Sequence, residues 1–176
     1  MDTFCPRCGI PATPAGHEDA RAIYRCENCN RVWMTHLGAA TTGTVPAPAG
    51  RVLVVDDSDQ LVRLVAMWLE DEHYLVTTAT TGARALASVR AATPDVVLLD
   101  LILPQPDGFS LCPQFACVPR PPLVIVMTAL SDPVRLRQLD GLGVFDVLQK
   151  PLSQEMVLES VSRARSLQRD DQRAVI

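Results

Sequence analysis

The stretch DVVLLDLILPQPDG, residues 95–108, decides the fold. Residues 96–99 are aliphatic without a break and run straight into Asp100. A strand with no polar face must be covered on both sides, which points to a parallel sheet between layers of helices. After Gly108 comes the weakest helix of the chain, because Pro113 sits inside it and Pro119, Pro121 and Pro122 follow.

The same pattern repeats on either side. Upstream, residues 52–55 form an apolar run ending in Asp56 and Asp57. Leu61, Leu64, Val65, Trp68 and Leu69 then recur at i, i+3, i+4, i+7 and i+8, one face of an amphipathic helix. Residues 74–79 read as a strand and 83–92 as a helix. Downstream, 123–127 is another apolar run, ending in Thr128. Asp132 and Pro133 offer an N-cap and a proline at the first helical position, opening a helix to about Leu139. Residues 144–148 make a fifth strand followed by Lys150, and Ser153 caps a last helix carrying Val157, Val161 and Ala164. Five strands alternating with helices give an α/β class, a doubly wound five-stranded parallel sheet.

Composition narrows the rest. The chain has 176 residues, 48% hydrophobic and 20% charged, enough for one domain plus a small module and too apolar for wholesale disorder. Its longest apolar runs, 96–99 and 123–129, are too short to cross a bilayer, and no basic n-region precedes a hydrophobic segment. A cytoplasmic location without a membrane partner is expected. Residues 37–50, LGAATTGTVPAPAG, contain no charge and read as a linker. Before residue 51 four Arg balance four acids; from 51 onward twelve basic groups face sixteen acidic ones, so the net charge of −4 belongs wholly to the second part. That balance disfavours nucleic acid held by bulk charge.

Ligands of open parallel sheets bind beyond the carboxyl ends of the strands. The residues found there are Asp56, Asp57, Asp100, Thr128 and Lys150. Two carboxylates about 4 Å apart repel by roughly 4 kcal/mol at an effective dielectric near 20, and a hard cation such as Mg²⁺ relieves this. A carboxylate can attack phosphorus to form an acyl phosphate, while a hydroxyl and an ammonium suit the phosphoryl oxygens.

VLVVDDS (52–58), DVVLLDLILPQPDG (95–108), VIVMTA (124–129) and LQKP (148–151) together resemble, in order and spacing, the receiver domain of two-component response regulators. The resemblance covers about two-thirds of the chain, from Arg51 to near Leu167. It implies the flavodoxin-like strand order 2-1-3-4-5 and a receiver over 51–168 with a tail at 169–176. It also implies Asp100 as phosphoacceptor, with Asp57, Asp100 and the backbone carbonyl of Ile102 holding Mg²⁺ and Asp56 assisting. Thr128, the Ala129 backbone N–H and Lys150 would bind the phosphoryl group, and the Lys150–Pro151 bond would be cis. The family usually carries Tyr or Phe three residues before the lysine; here Val147 stands there, and Phe145 lies two residues earlier. A rival, a phosphatase using Asp57 and Asp59 as haloacid-dehalogenase-type hydrolases do, has its second acid in the wrong order relative to Thr128 and Lys150. A receiver-like adaptor that works without phosphorylation is a further alternative.

Cys5-x₂-Cys8 and Cys26-x₂-Cys29, with 17 residues between the pairs, match a zinc spacing. Four thiolates make a closed structural site, and a piece this small needs metal to fold. Residues 1–36 therefore resemble a zinc ribbon, with Phe4, Tyr24 and Trp33 packing around the site; disulfides or a rubredoxin-type iron are the alternatives. His17 and His36 read as loop residues, and Cys112 and Cys117 as buried thiols. The charge balance favours protein contact over DNA binding for this module.

The sequence expectation is thus a stand-alone, non-enzymatic response regulator. It would accept a phosphoryl group from a sensor histidine kinase or phosphotransfer protein and signal to an unidentified downstream protein.

Overall fold

The computed structural model describes residues 13–18, 21–25, 32–36, 48–104, 106–130 and 132–173. It divides into two units, residues 1–48 and 49–176. In the first, β1 (Thr13–Glu18), β2 (Arg21–Arg25) and β3 (Val32–His36) form an antiparallel sheet in that order. Tyr24 pairs across the strands with Pro14 on one side and Trp33 on the other. His17 and His36, expected in loops, lie in β1 and β3, where period-2 pairing with β2 outweighs their polar character.

The second unit alternates as expected: β4 (Gly50–Val55), α1 (Asp59–Asp71), β5 (Tyr74–Ala79), α2 (Gly82–Ala92), β6 (Val96–Asp100), α3 (Gly108–Ala116), β7 (Leu123–Thr128), α4 (Pro133–Leu136), β8 (Val144–Gln149) and α5 (Gln154–Arg173). All neighbouring strands are parallel and run in the order β5-β4-β6-β7-β8, which within this sheet is 2-1-3-4-5. The pleat explains why the strands are apolar on both faces. Val52, Val54, Val96, Leu98, Ile125 and Met127 pack with Val62, Val65 and Leu69 of α1 and Val157, Val161 and Ala164 of α5. Their alternates Leu53, Val55, Val97, Leu99, Val124 and Val126 pack with Ala85 and Val89 of α2 and Leu111 and Phe115 of α3.

The helix starts are set by side-chain caps: Ser58, Thr81 and Asp107 accept from the N–H groups of Leu61, Arg84 and Ser110. Pro113 is accommodated in the nine-residue α3. Three features differ from the sequence expectation. The helix opened by Asp132 is α-helical for four residues only and finishes as a 3₁₀ turn, Arg137–Leu139. A bulge in β8 lets Val144 oppose Val124 and Asp146 oppose Ile125, leaving Phe145 as an extra residue. Finally, α5 continues to Arg173, through residues read from sequence as a tail. No helix among the described residues is long and apolar enough to cross a membrane.

Candidate functional site

Asp56 and Asp57 follow β4, and Asp100 closes the adjacent β6. One carboxylate oxygen from each lies within 4.8 Å of the others. Asp56 and Asp100 are buried, whereas Asp57 is exposed. From the far edge of the sheet Lys150 reaches across, its Nζ donating to Asp56 Oδ2 at 2.7 Å and Asp100 Oδ2 at 2.6 Å. The remaining oxygens are also satisfied. Asp56 Oδ1 accepts from the Ser58 N–H at 2.9 Å, and Asp100 Oδ1 from the Ile102 N–H at 3.0 Å. Gly108 lets α3 begin hard against this turn, since a Cβ there would stand 2.5 Å from the Asp100 carbonyl oxygen.

Lys150 compensates one of three nearby acids. Burial pushes the Asp100 carboxyl above its ordinary range; the hydrogen bonds from Lys150 and Ile102 and the Lys150 charge counter this in part, and the charge of Asp56 adds to it. For Lys150 burial opposes the charged form, but hydrogen bonds to Asp100 and Asp56, with their charges, outweigh it and hold the ammonium above its ordinary value. Hard carboxylate oxygens at this spacing fit a divalent cation such as Mg²⁺, for which Asp56, Asp57 and Asp100 are the available side-chain ligands.

Thr128 ends β7, next to β6, and is fully buried. Its Oγ1 accepts from the Leu130 N–H at 2.9 Å, and its carbonyl accepts from the Lys150 N–H at 2.8 Å. Ala129, exposed, follows directly. Ile102 meets Asp100 through its backbone, while its side chain faces solvent. The Lys150–Pro151 bond is cis, as the resemblance implies.

Thus Asp56, Asp57, Asp100 and Lys150 converge, with Thr128 and Ala129 at the neighbouring strand end. Cys5, Cys8, Cys26, Cys29 and Phe4 lie outside the described residues. Cys112 is buried as expected, but Cys117 is exposed because it caps the C-terminus of α3 rather than facing the core. Phe145 packs on the α5 side, its ring 6.0 Å from the Arg163 guanidinium carbon. Sequence reasoning missed Gln149, whose Nε2 donates to the Leu130 carbonyl at 3.2 Å. Its position one residue before Lys150 in β8 was the available signal.

A family model described as response regulator receiver domain matches residues 52–162. The response regulator PleD of Caulobacter vibrioides is 39% identical over 125 residues, 69% of this chain and 26% of that protein. The transcriptional regulatory protein ResD of Bacillus subtilis is 37% identical over 109 residues, 61% of this chain and 45% of its own. The chain thus spans about a quarter to somewhat under half the length of these relatives. Among solved structures, the signal receiver domain of a LuxO-type repressor from Vibrio parahaemolyticus superposes with a TM-score of 0.67 at 27% identity, covering 71% of this chain and 96% of that one.

Proposed function

The chain belongs to the response regulator receiver domain family, and on that premise we propose that Asp100 is its phosphoacceptor. The observation that carries this reading is the double bridge from Lys150 to Asp56 and Asp100, which ties together the ends of three strands. A carboxylate oxygen of Asp100 attacks phosphorus in line, the P–N or P–O bond to the donor breaks, and the donor's histidine nitrogen or acetate departs with the bonding pair. Lys150 and the Thr128 hydroxyl donate to the phosphoryl oxygens, joined by the Ala129 N–H. A Mg²⁺ held by Asp56, Asp57, Asp100 and the Ile102 carbonyl would supply charge neutralisation when bound. Burial of Asp56, Asp100 and Thr128 keeps competing water from much of this surface.

The donor is a sensor histidine kinase or a phosphotransfer protein in the cytoplasm, and the modified domain acts through a downstream protein. For the first unit, Cys5, Cys8, Cys26 and Cys29 hold a structural Zn²⁺. The donor set is soft and closed, and two of the four cysteines fall in sequence between the paired strands β2 and β3. Its even charge favours a protein partner over DNA.

Incubation with acetyl phosphate and Mg²⁺ tests the central assignment. Intact-mass measurement is expected to show one added phosphoryl group in the native chain and none in Asp100→Asn. No uptake from acetyl phosphate or from several kinases would favour an adaptor that works unphosphorylated.

A further inference from the structure

The loop after β7 has to move if Thr128 is to turn toward a phosphoryl group, and residue 130 is tied on both sides of its backbone. Its N–H bonds to the Thr128 hydroxyl at 2.9 Å, and its C=O accepts from the Gln149 side chain at 3.2 Å. Gln149 sits directly opposite Thr128 in the β7–β8 register. No aromatic ring stands beside this loop on β8. Val147, opposite Val126, is 41% exposed, and the bulge gives Phe145 to the α5 side.

We infer that Gln149 is the positioning residue that holds the 128–130 loop in its resting arrangement. The inference rests on the phosphoacceptor reading of Asp100. The Thr128 hydroxyl oxygen accepts from Leu130 at rest, so any shift of that oxygen either breaks this bond or draws residue 130 along. Drawing residue 130 along swings its carbonyl as well. At 3.2 Å the Gln149 bond is already at the long end of the hydrogen-bonding range, so a displacement of a few tenths of an ångström breaks it. The bond therefore favours the resting state over the activated one, and its removal shifts the balance toward activation. Since Gln149 is exposed, substituting it leaves no buried group unpaired on its own side chain.

The test compares the full native chain with Gln149→Met, which keeps the length of the side chain and removes the donor, and with Gln149→Leu. Titration with beryllium fluoride and Mg²⁺, a phosphoryl mimic, is expected to give an apparent affinity two- to tenfold tighter in both variants, the equilibrium equivalent of one neutral hydrogen bond. The Leu130 amide resonance of the unliganded variants should lie part way along the line joining the free and saturated native positions. A side chain that merely stabilised the fold would change the urea midpoint and leave both readouts unmoved. Native protein that ignores the mimic would overturn the phosphoacceptor reading and the latch with it. Native protein that responds while the variants match it in affinity and in the Leu130 resonance would overturn the latch alone.

Discussion

Residues 49–176 bury two aliphatic layers, one on each face of β4–β8, with Leu53, Leu98, Leu99 and Ile125 wholly enclosed. Residues 1–48 contribute three strands of five or six residues, in which Val32, Thr13 and Arg25 are exposed and Tyr24 is half-buried. Each fully enclosed Leu or Val side chain contributes about 1.5–3 kcal/mol, so the second unit has an ample apolar driving force of its own. A three-stranded antiparallel sheet of this size has little of it. The difference teaches where cations matter. On the proposed reading, the second unit folds on its own core and would use a cation only for its chemistry, whereas the first would need one to fold.

The largest effect should come from removing thiolate-bound metal. One zinc per chain is expected on analysis, and a strong chelator should collapse the amide resonances of residues 13–36 while leaving those of β4–β8 in place. Structural zinc in small domains carries about 10–16 kcal/mol, far more than so small a sheet can replace. Thiol labelling at pH 8 gives an independent count. Cys117 is exposed and should react quickly in the native chain. Cys112 should lag, because burial pushes its thiol up to about 11 and leaves roughly one thiolate in a thousand. Chelation should release four further fast thiols; no such release would break the contrast between the units. A smaller effect, about 2–5 kcal/mol, is expected for Leu98→Ala, which opens a cavity in the layer against α1 and α5. Urea unfolding should register that loss in β4–β8 and leave the resonances of β1–β3 unchanged.

How much of this was legible in the sequence differs between the two units and within the second. The strands of the sheet were, because runs such as residues 96–99 have no polar face and only one environment suits them. The acids were too, since each interrupts such a run at its end. What the sequence lacked was anything that depends on a single residue of register. The extra residue at Phe145 keeps the local composition of a strand while reversing which side the next side chains take. The shortness of α4 is equally hidden, because Asp132 caps a four-residue helix as well as a longer one. Motif reading supplied the charge and position of Lys150 but not its simultaneous hold on two carboxylates. Gln149 carries no signature beyond its place beside Lys150, as its partner is a backbone carbonyl 19 residues away. His17 and His36 were misplaced because polar residues in a thin sheet look like loop residues.

The smallest effect separates the units by pH. The Asp100 carboxyl is raised above its ordinary value of 3.8, chiefly by burial, so the folded state holds that proton more tightly than the unfolded chain. Stability is therefore lost as pH rises from the unfolded value through the folded one, and the cost is complete above it. Asp100→Asn removes the charge and keeps a carbonyl oxygen for the Ile102 N–H. In Mg²⁺-free buffer at neutral pH the variant is expected to be the more stable of the two, with a higher Tm. That advantage should shrink as pH falls toward 4, where the native acid also protonates. Lys150 does not shape this window. Its raised value means that its contribution is fully present below the unfolded lysine value and fades only as pH rises through the folded one. It also keeps Asp56 as a partner in the variant. Thermal melts between pH 4.5 and 8 decide the matter. A constant difference across that range would mean the ionised acid bears no burial cost, and a shift in the β1–β3 resonances would mean the two units do not fold independently.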